Sequence, residues 1–239
     1  MHNKLDKNKF SQRLGSWYPK IEPLFSNGVM DKIYEELKNQ GRKGTKITPD
    51  KSNTFRCFRE TPIDQIKAVM MGYCPYHSVI NGKILADGIL MGCSNHKDYL
   101  APSLQQYYRA VEEEFKEGLC FPCVKTKDLT YLSQQGVLMF NSSLTTIVGT
   151  AGAHQELWRP FTEHMMKIFN NMDIPIIFLG NDAWEFSDCS NIHYKLSHPA
   201  SASHRHTEWS SEGVFKKVNE KLEDWFQKPI QWIMETAPF

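Results

Sequence analysis

No apolar stretch in these 239 residues approaches the roughly 20 consecutive apolar residues that a membrane-spanning helix needs. The opening segment, MHNKLDKNKF, has no apolar core of the kind that marks a secretory signal, so the chain is expected to act inside the cell. Charge of one sign is missing too: 28 Lys and Arg stand against 27 Asp and Glu, a formal net charge of +1. Bulk charge therefore selects no partner, and a polyanion would have to be met by a local basic surface or by helix termini. Internal repeats and low-complexity tracts are absent, which excludes solenoid and disordered classes. Six cysteines are present, but only Cys120 and Cys123 form a CxxC, while Cys57, Cys74, Cys93 and Cys189 have no complementary spacing. Reduced thiols are expected, with no metal site and no cofactor.

What is present is an ordinary globular composition, 41% hydrophobic and 23% charged with a mean hydropathy of -0.48. The length suits one well-buried domain. The first fifteen residues are polar and expected to form a loose tail, with a single domain over 16–239. A helical pattern runs from Val29 to Gln40, followed by a Gly/Pro/Lys-rich loop, GRKGTKITPDKS. Its basic run Arg42-Lys43-Gly44-Thr45-Lys46 reads as a solvated turn. Short apolar runs then alternate with amphipathic stretches. The runs are Ile66 to Gly72, Val137 to Phe140, Ile174 to Gly180 and His193 to Ser197. Between and after them come helices from Ser103 to about Lys116, about Gln155 to Asn171, Asp182 to Phe186, and Gly213 to Gln227. Such alternation predicts a three-layer α/β/α fold around a central four-stranded parallel sheet.

A parallel sheet places its ligand site beyond the carboxyl ends of its strands. Beyond these ends stand Gly72-Tyr73-Cys74-Pro75-Tyr76-His77, Asn141-Ser142-Ser143, Asn181-Asp182, and His198-Pro199-Ala200-Ser201-Ala202-Ser203. Polar, aromatic and turn-forming groups from four ends would converge on one crevice if the strands are neighbours.

In the order GYCPYH, VLMFN, HPASAS, these segments resemble the GQDPYH, LLLN-type and HPSPLS motifs of family-1 uracil-DNA glycosylases. The resemblance extends through FRCFRETPIDQIKAVMMG, APSLQQYYRAVEEEF, DLTYLSQQGVLMFNSSLT, WRPFTEHMMKIF, IIFLGNDA, VFKKVNEKL and PIQW, from about Trp17 to Trp232. It implies that a pyrimidine is turned out of DNA into a tight pocket and released by hydrolysis of its N-glycosidic bond, without metal. By the same resemblance His198 stabilises the leaving base, Asn141 reads the pyrimidine edge and Tyr76 packs against C5 to exclude thymine. The DNA-facing set it implies is His77, Ser103, Asn181, Ser201, Ala202 and Ser203; a monomer is expected, although nothing in the sequence specifies the oligomeric state.

The chain departs from the pattern at the centre of the chemistry. Cys74 stands where the family has an aspartate that orients the attacking water, and a free thiol is only slightly ionised at neutral pH. Tyr73 replaces a glutamine that shapes the base pocket, and Met91, in ADGILMGCS, replaces a stacking phenylalanine with a more flexible cover. Ala202 replaces a leucine wedge that fills the vacated place in the duplex, while Asn181 and Ala200 replace serines near phosphate. Three functions follow: excision of uracil, excision of a modified pyrimidine such as one in viral DNA, or a catalytically impaired DNA- or partner-binding protein on the same fold.

Overall fold

The computed structural model describes residues 7–189 and 191–236. Its centre is a four-stranded parallel sheet of β1 (Ala68–Gly72), β2 (Val137–Asn141), β3 (Ile176–Leu179) and β4 (His193–Leu196), in the order β2-β1-β3-β4. Every residue of β1, β2 and β3 is buried. That is why these segments read as continuous apolar runs: a parallel sheet is covered on both faces, so neither face needs polar side chains. β4 lies at the edge, with His193 and Lys195 exposed, and charged side chains there discourage pairing with another sheet.

Alternate strand residues feed two cores. Ala68, Met70, Val137, Met139, Ile177 and Leu179 face one, which is completed by α5 (Pro102–Phe115), α6 (Thr130–Ser133) and α10 (Val214–Asp224). Val69, Met71, Leu138, Phe140, Ile176 and Phe178 face the other, which α2 (Tyr18–Ser26), α4 (Arg56–Glu60) and α7 (Gln155–Phe169) complete. Each large apolar side chain fully buried in this way contributes about 1.5–3 kcal/mol.

Three expectations are corrected. Residues 7–15 are no loose tail: α1 (Lys7–Leu14) is a helix, and Phe10 and Leu14 are buried in the second core with Trp17 and Ile21. Their spacing of three to four residues forms a single apolar stripe within a polar composition. Residues 1–6 lie outside the described residues. The helix expected to end at Gln40 continues to Arg42 as α3 (Val29–Arg42). The loop beyond it is not wholly irregular, since Ile47 and Thr48 pair antiparallel with Ile147 and Thr146. Among the described residues no group of His, Cys, Asp and Glu is placed to hold a metal ion, and no helix is long and apolar enough to cross a membrane. All six cysteines are free.

Candidate functional site: the crevice at the strand ends

The parallel order brings all four carboxyl ends to one side, and residues at or just past the ends of β1, β3 and β4 line a cavity of about 540 Å³. Parallel pairing sets Gly72, the last residue of β1, directly beside Asn141, the last of β2. A Cβ at Gly72 would stand 2.5 Å from Leu90 Cδ1 and 2.9 Å from Asn141 Oδ1, so both side chains would have to shift to admit it. Asn141 is 6% exposed, and its Oδ1 has no hydrogen-bond partner. It does not itself line the open cavity, although Leu90, packed beside it, does. An unpaired buried carbonyl costs about 1–3 kcal/mol, and such groups persist where a ligand supplies the partner.

The turn after β1 is laced to its surroundings. The Ser142 amide donates to Gly72 O at 2.8 Å, and the Ser143 amide and the Ser142 hydroxyl both donate to Tyr73 O at 3.0 Å. The Gly152 amide donates to Cys74 Sγ at 3.3 Å. Gly152 has φ +66°, and any Cβ would collide with the Tyr73 ring, 1.8 Å from its hydroxyl oxygen. Burial pushes the Cys74 thiol up to about 11; the Gly152 hydrogen bond opposes the shift and the Asp182 charge adds to it. At neutral pH Cys74 is therefore a neutral thiol, not a thiolate. Tyr76 faces the cavity, its hydroxyl bonded to Ser103 Oγ at 2.5 Å, and burial pushes its phenol well above the ordinary range.

On the opposite wall, α9 (Pro199–His204) begins at the end of β4, and His198 is its N-cap. His198 Nδ1 accepts from the Ala200 amide at 3.1 Å, which satisfies one of the orphan donors of a helix start. Burial, aided by nearby His204, lowers the imidazole to about 4. A neutral ring whose Nδ1 is an acceptor carries its proton on Nε2, which leaves one N–H donor free.

Met91 also lines the cavity; it has φ +60° and is 4% exposed. Its loop is pinned by Asp87, which is fully buried and accepts from the amides of Ile89 and Ser94, from the Ser94 hydroxyl at 2.6 Å, and from Arg56 at 2.8 Å.

Tyr73, Cys74, Tyr76, His77, Met91, Ser103, His198, Ser201 and Ser203 all line the one cavity. Ser103 is 2% exposed, and its hydroxyl is bonded to that of Tyr76. Ala202 is 3% exposed and packs in the first core, where α9 meets α5. Asn181 is exposed at the start of α8 (Asn181–Trp184) and lies outside the lining, whereas its neighbour Asp182 lies within it. His204, Gly152 and the exposed Arg205 were not expected at the site from sequence, and Asp182 was expected there only as part of the turn after the third strand, with no role. His204 adjoins a recognised motif, a signal that could have found it. Gly152 carried no comparable signal.

No family model matches the chain. A uracil-DNA glycosylase of Streptococcus pneumoniae is 28% identical over 225 residues, covering 91% of this chain and 98% of the relative. Uracil-DNA glycosylase 1 of Listeria monocytogenes is 30% identical over 210 residues, covering 84% and 89%. Among solved structures, mimivirus uracil-DNA glycosylase superposes with a TM-score of 0.81 at 22% identity, over 96% of this chain and 90% of that one. The UNG structure from Nitratifractor salsuginis gives 0.61 at 15%, over 97% and 99%. These two establish the fold, and the 30% identity spread over most of both chains establishes the rest: this chain belongs to the uracil-DNA glycosylase family.

Proposed function

We propose that the protein is a DNA glycosylase that turns uracil out of DNA and hydrolyses its N-glycosidic bond, as a divergent member with GYCPYH at the turn where GQDPYH is usual. The observation that carries the reading is the buried, unpartnered Oδ1 of Asn141 beside a cavity that receives the free Nε2–H of His198. Uracil presents an N3–H donor that satisfies Asn141 Oδ1 and an O2 acceptor for His198. Cytosine has an acceptor at N3, which would leave that oxygen unpaired.

Bond cleavage sends the glycosidic electron pair into the base, and negative charge develops on O2. A neutral Nε2–H donor held in place by the Ala200 cap stabilises that charge without any reorganisation, a contribution of about 10²–10³ in rate. Tyr76, held by Ser103, supplies a rigid wall against a C5 methyl group. His77, Ser201 and Ser203 at the cavity, with exposed Arg205 beyond it, supply contacts for the phosphate backbone.

The test is single-turnover base release from oligonucleotides carrying uracil, thymine, cytosine or a hydroxymethylated pyrimidine, with wild type beside His198→Ala. Release of uracil by wild type, lost in His198→Ala, supports the reading. A second reading, a binding protein on the same fold, is favoured by the neutral Cys74 and the buried Ala202. Tight DNA binding without release, with release appearing only in Cys74→Asp, would support that second reading.

A further inference from the structure

We propose that Asp182 is the catalytic carboxylate of this cavity, serving the sugar side of the reaction. This rests on the glycosylase reading above. Asp182 is carried on α8, directly past the end of β3, the strand next to β1 in the sheet. It is the sole carboxylate among the residues that line the cavity. The same wall holds Cys74 and Tyr73, and the Asp182 charge reaches both, acting against ionisation of each.

Asp182 is also uncommitted. No ion pair involves it among the described residues. Nearby Glu185, by contrast, is held by Arg159 at 2.9 Å. The side chain is exposed in the free protein, and DNA laid across the mouth would withdraw it from water, where a carboxylate acts more strongly on a nearby positive charge.

Excision creates that positive charge. As the C1′–N1 bond breaks, its electron pair leaves with the base, which departs as an anion hydrogen-bonded to His198, and the sugar becomes cation-like. A water oxygen then bonds to C1′, and one of its protons passes to the Asp182 carboxylate. The products are an abasic site and the free base, which takes up a proton from solvent as Asp182 gives its own back. Cys74, as a neutral thiol, can hydrogen-bond that water but cannot offset the charge.

A carboxylate at the rim of a DNA-binding cavity could instead act only by repelling phosphate. The two roles predict opposite signs. Asp182→Asn is compared with wild type in single-turnover uracil release at saturating enzyme, together with DNA Kd and Tm, and the same substitution is made in Cys74→Asp. The expected result is a fall of at least about 10²-fold in the release rate with Tm unchanged, partial recovery in Asp182→Glu, and a loss below about tenfold in the Cys74→Asp background, where a second carboxylate compensates. An unchanged or faster rate with tighter DNA binding would overturn the proposal, as would an equal loss in both backgrounds. If wild type releases no base at all, the proposal falls together with the glycosylase reading, and wild type alone reveals that case.

Discussion

The two walls of the cavity are built differently. The wall from the end of β1 is tied down at successive positions: Gly72, Tyr73 and Cys74 each receive hydrogen bonds from Ser142, Ser143 or Gly152. The wall from the end of β4 is held at its base, where Trp209 Nε1 donates to Ser197 O at 2.8 Å, His198 Nδ1 accepts from the Ala200 amide and Ala202 packs against α5, and beyond it His204, Arg205 and His206 stand exposed. The first wall is rigid and half-buried, and its Cys74 is a neutral thiol. The second joins a half-buried neutral imidazole to a solvated polar edge. Base chemistry requires fixed geometry, whereas contact with phosphate tolerates mobile side chains. The difference between the walls divides those two tasks.

The division can be broken most sharply at its one shared residue. His198→Ala should lower uracil release about 10²–10³-fold and also cost about 1 kcal/mol of stability through the lost cap; single-turnover rates and denaturant melts separate the two effects. On the rigid wall, Cys74→Asp should raise the release rate at least about 10²-fold, because it puts a carboxylate beside the Gly152 amide. Asn141→Ala should lower release about tenfold or more while leaving stability unchanged or slightly improved, since it removes a buried oxygen that has no partner. A drop in Tm comparable to the loss of activity would show that Asn141 holds the strand ends together instead of reading a base.

Acid should sharpen the contrast further. The His198 imidazole titrates at about 4 in the folded protein against 6.5 ordinarily, and burial lowers His154 in the same direction. Between those pH values the unfolded chain binds more protons, so this part of the stability is present above about 6.5 and is lost as pH falls toward about 4. A Tm series over that range should decline, and His198→Asn should flatten the decline. The smallest effect belongs to the exposed edge: Arg205→Ala should weaken DNA binding evenly across sequences and reduce the salt slope by about one.

The four strands were legible because parallel strands buried on both faces are continuous apolar runs, and the end of a run points to the crevice. His198, Tyr76 and Cys74 could be placed by that rule together with the family resemblance. Strand order was not legible from periodicity, which carries no information about neighbours. The contribution of Gly152 depends on a tertiary approach across 78 residues to Cys74. The burial of Ala202 depends on how a six-residue helix docks against α5. The burial of α1 was in principle readable from Phe10, Leu14, Trp17 and Ile21, but polar composition masked the stripe.

The contact between Tyr73 and Gly152 also bears on how this turn can change. The tyrosine ring occupies the space that any side chain at 152 would need, so the two positions are sterically interlocked. While the ring stays where it is, 152 holds only glycine. Replacing the ring by something smaller removes the steric half of that restriction, and the left-handed backbone at 152 keeps the other half. Redesign of this turn therefore has to treat 73 and 152 together, with 73 the position that sets how much room 152 has.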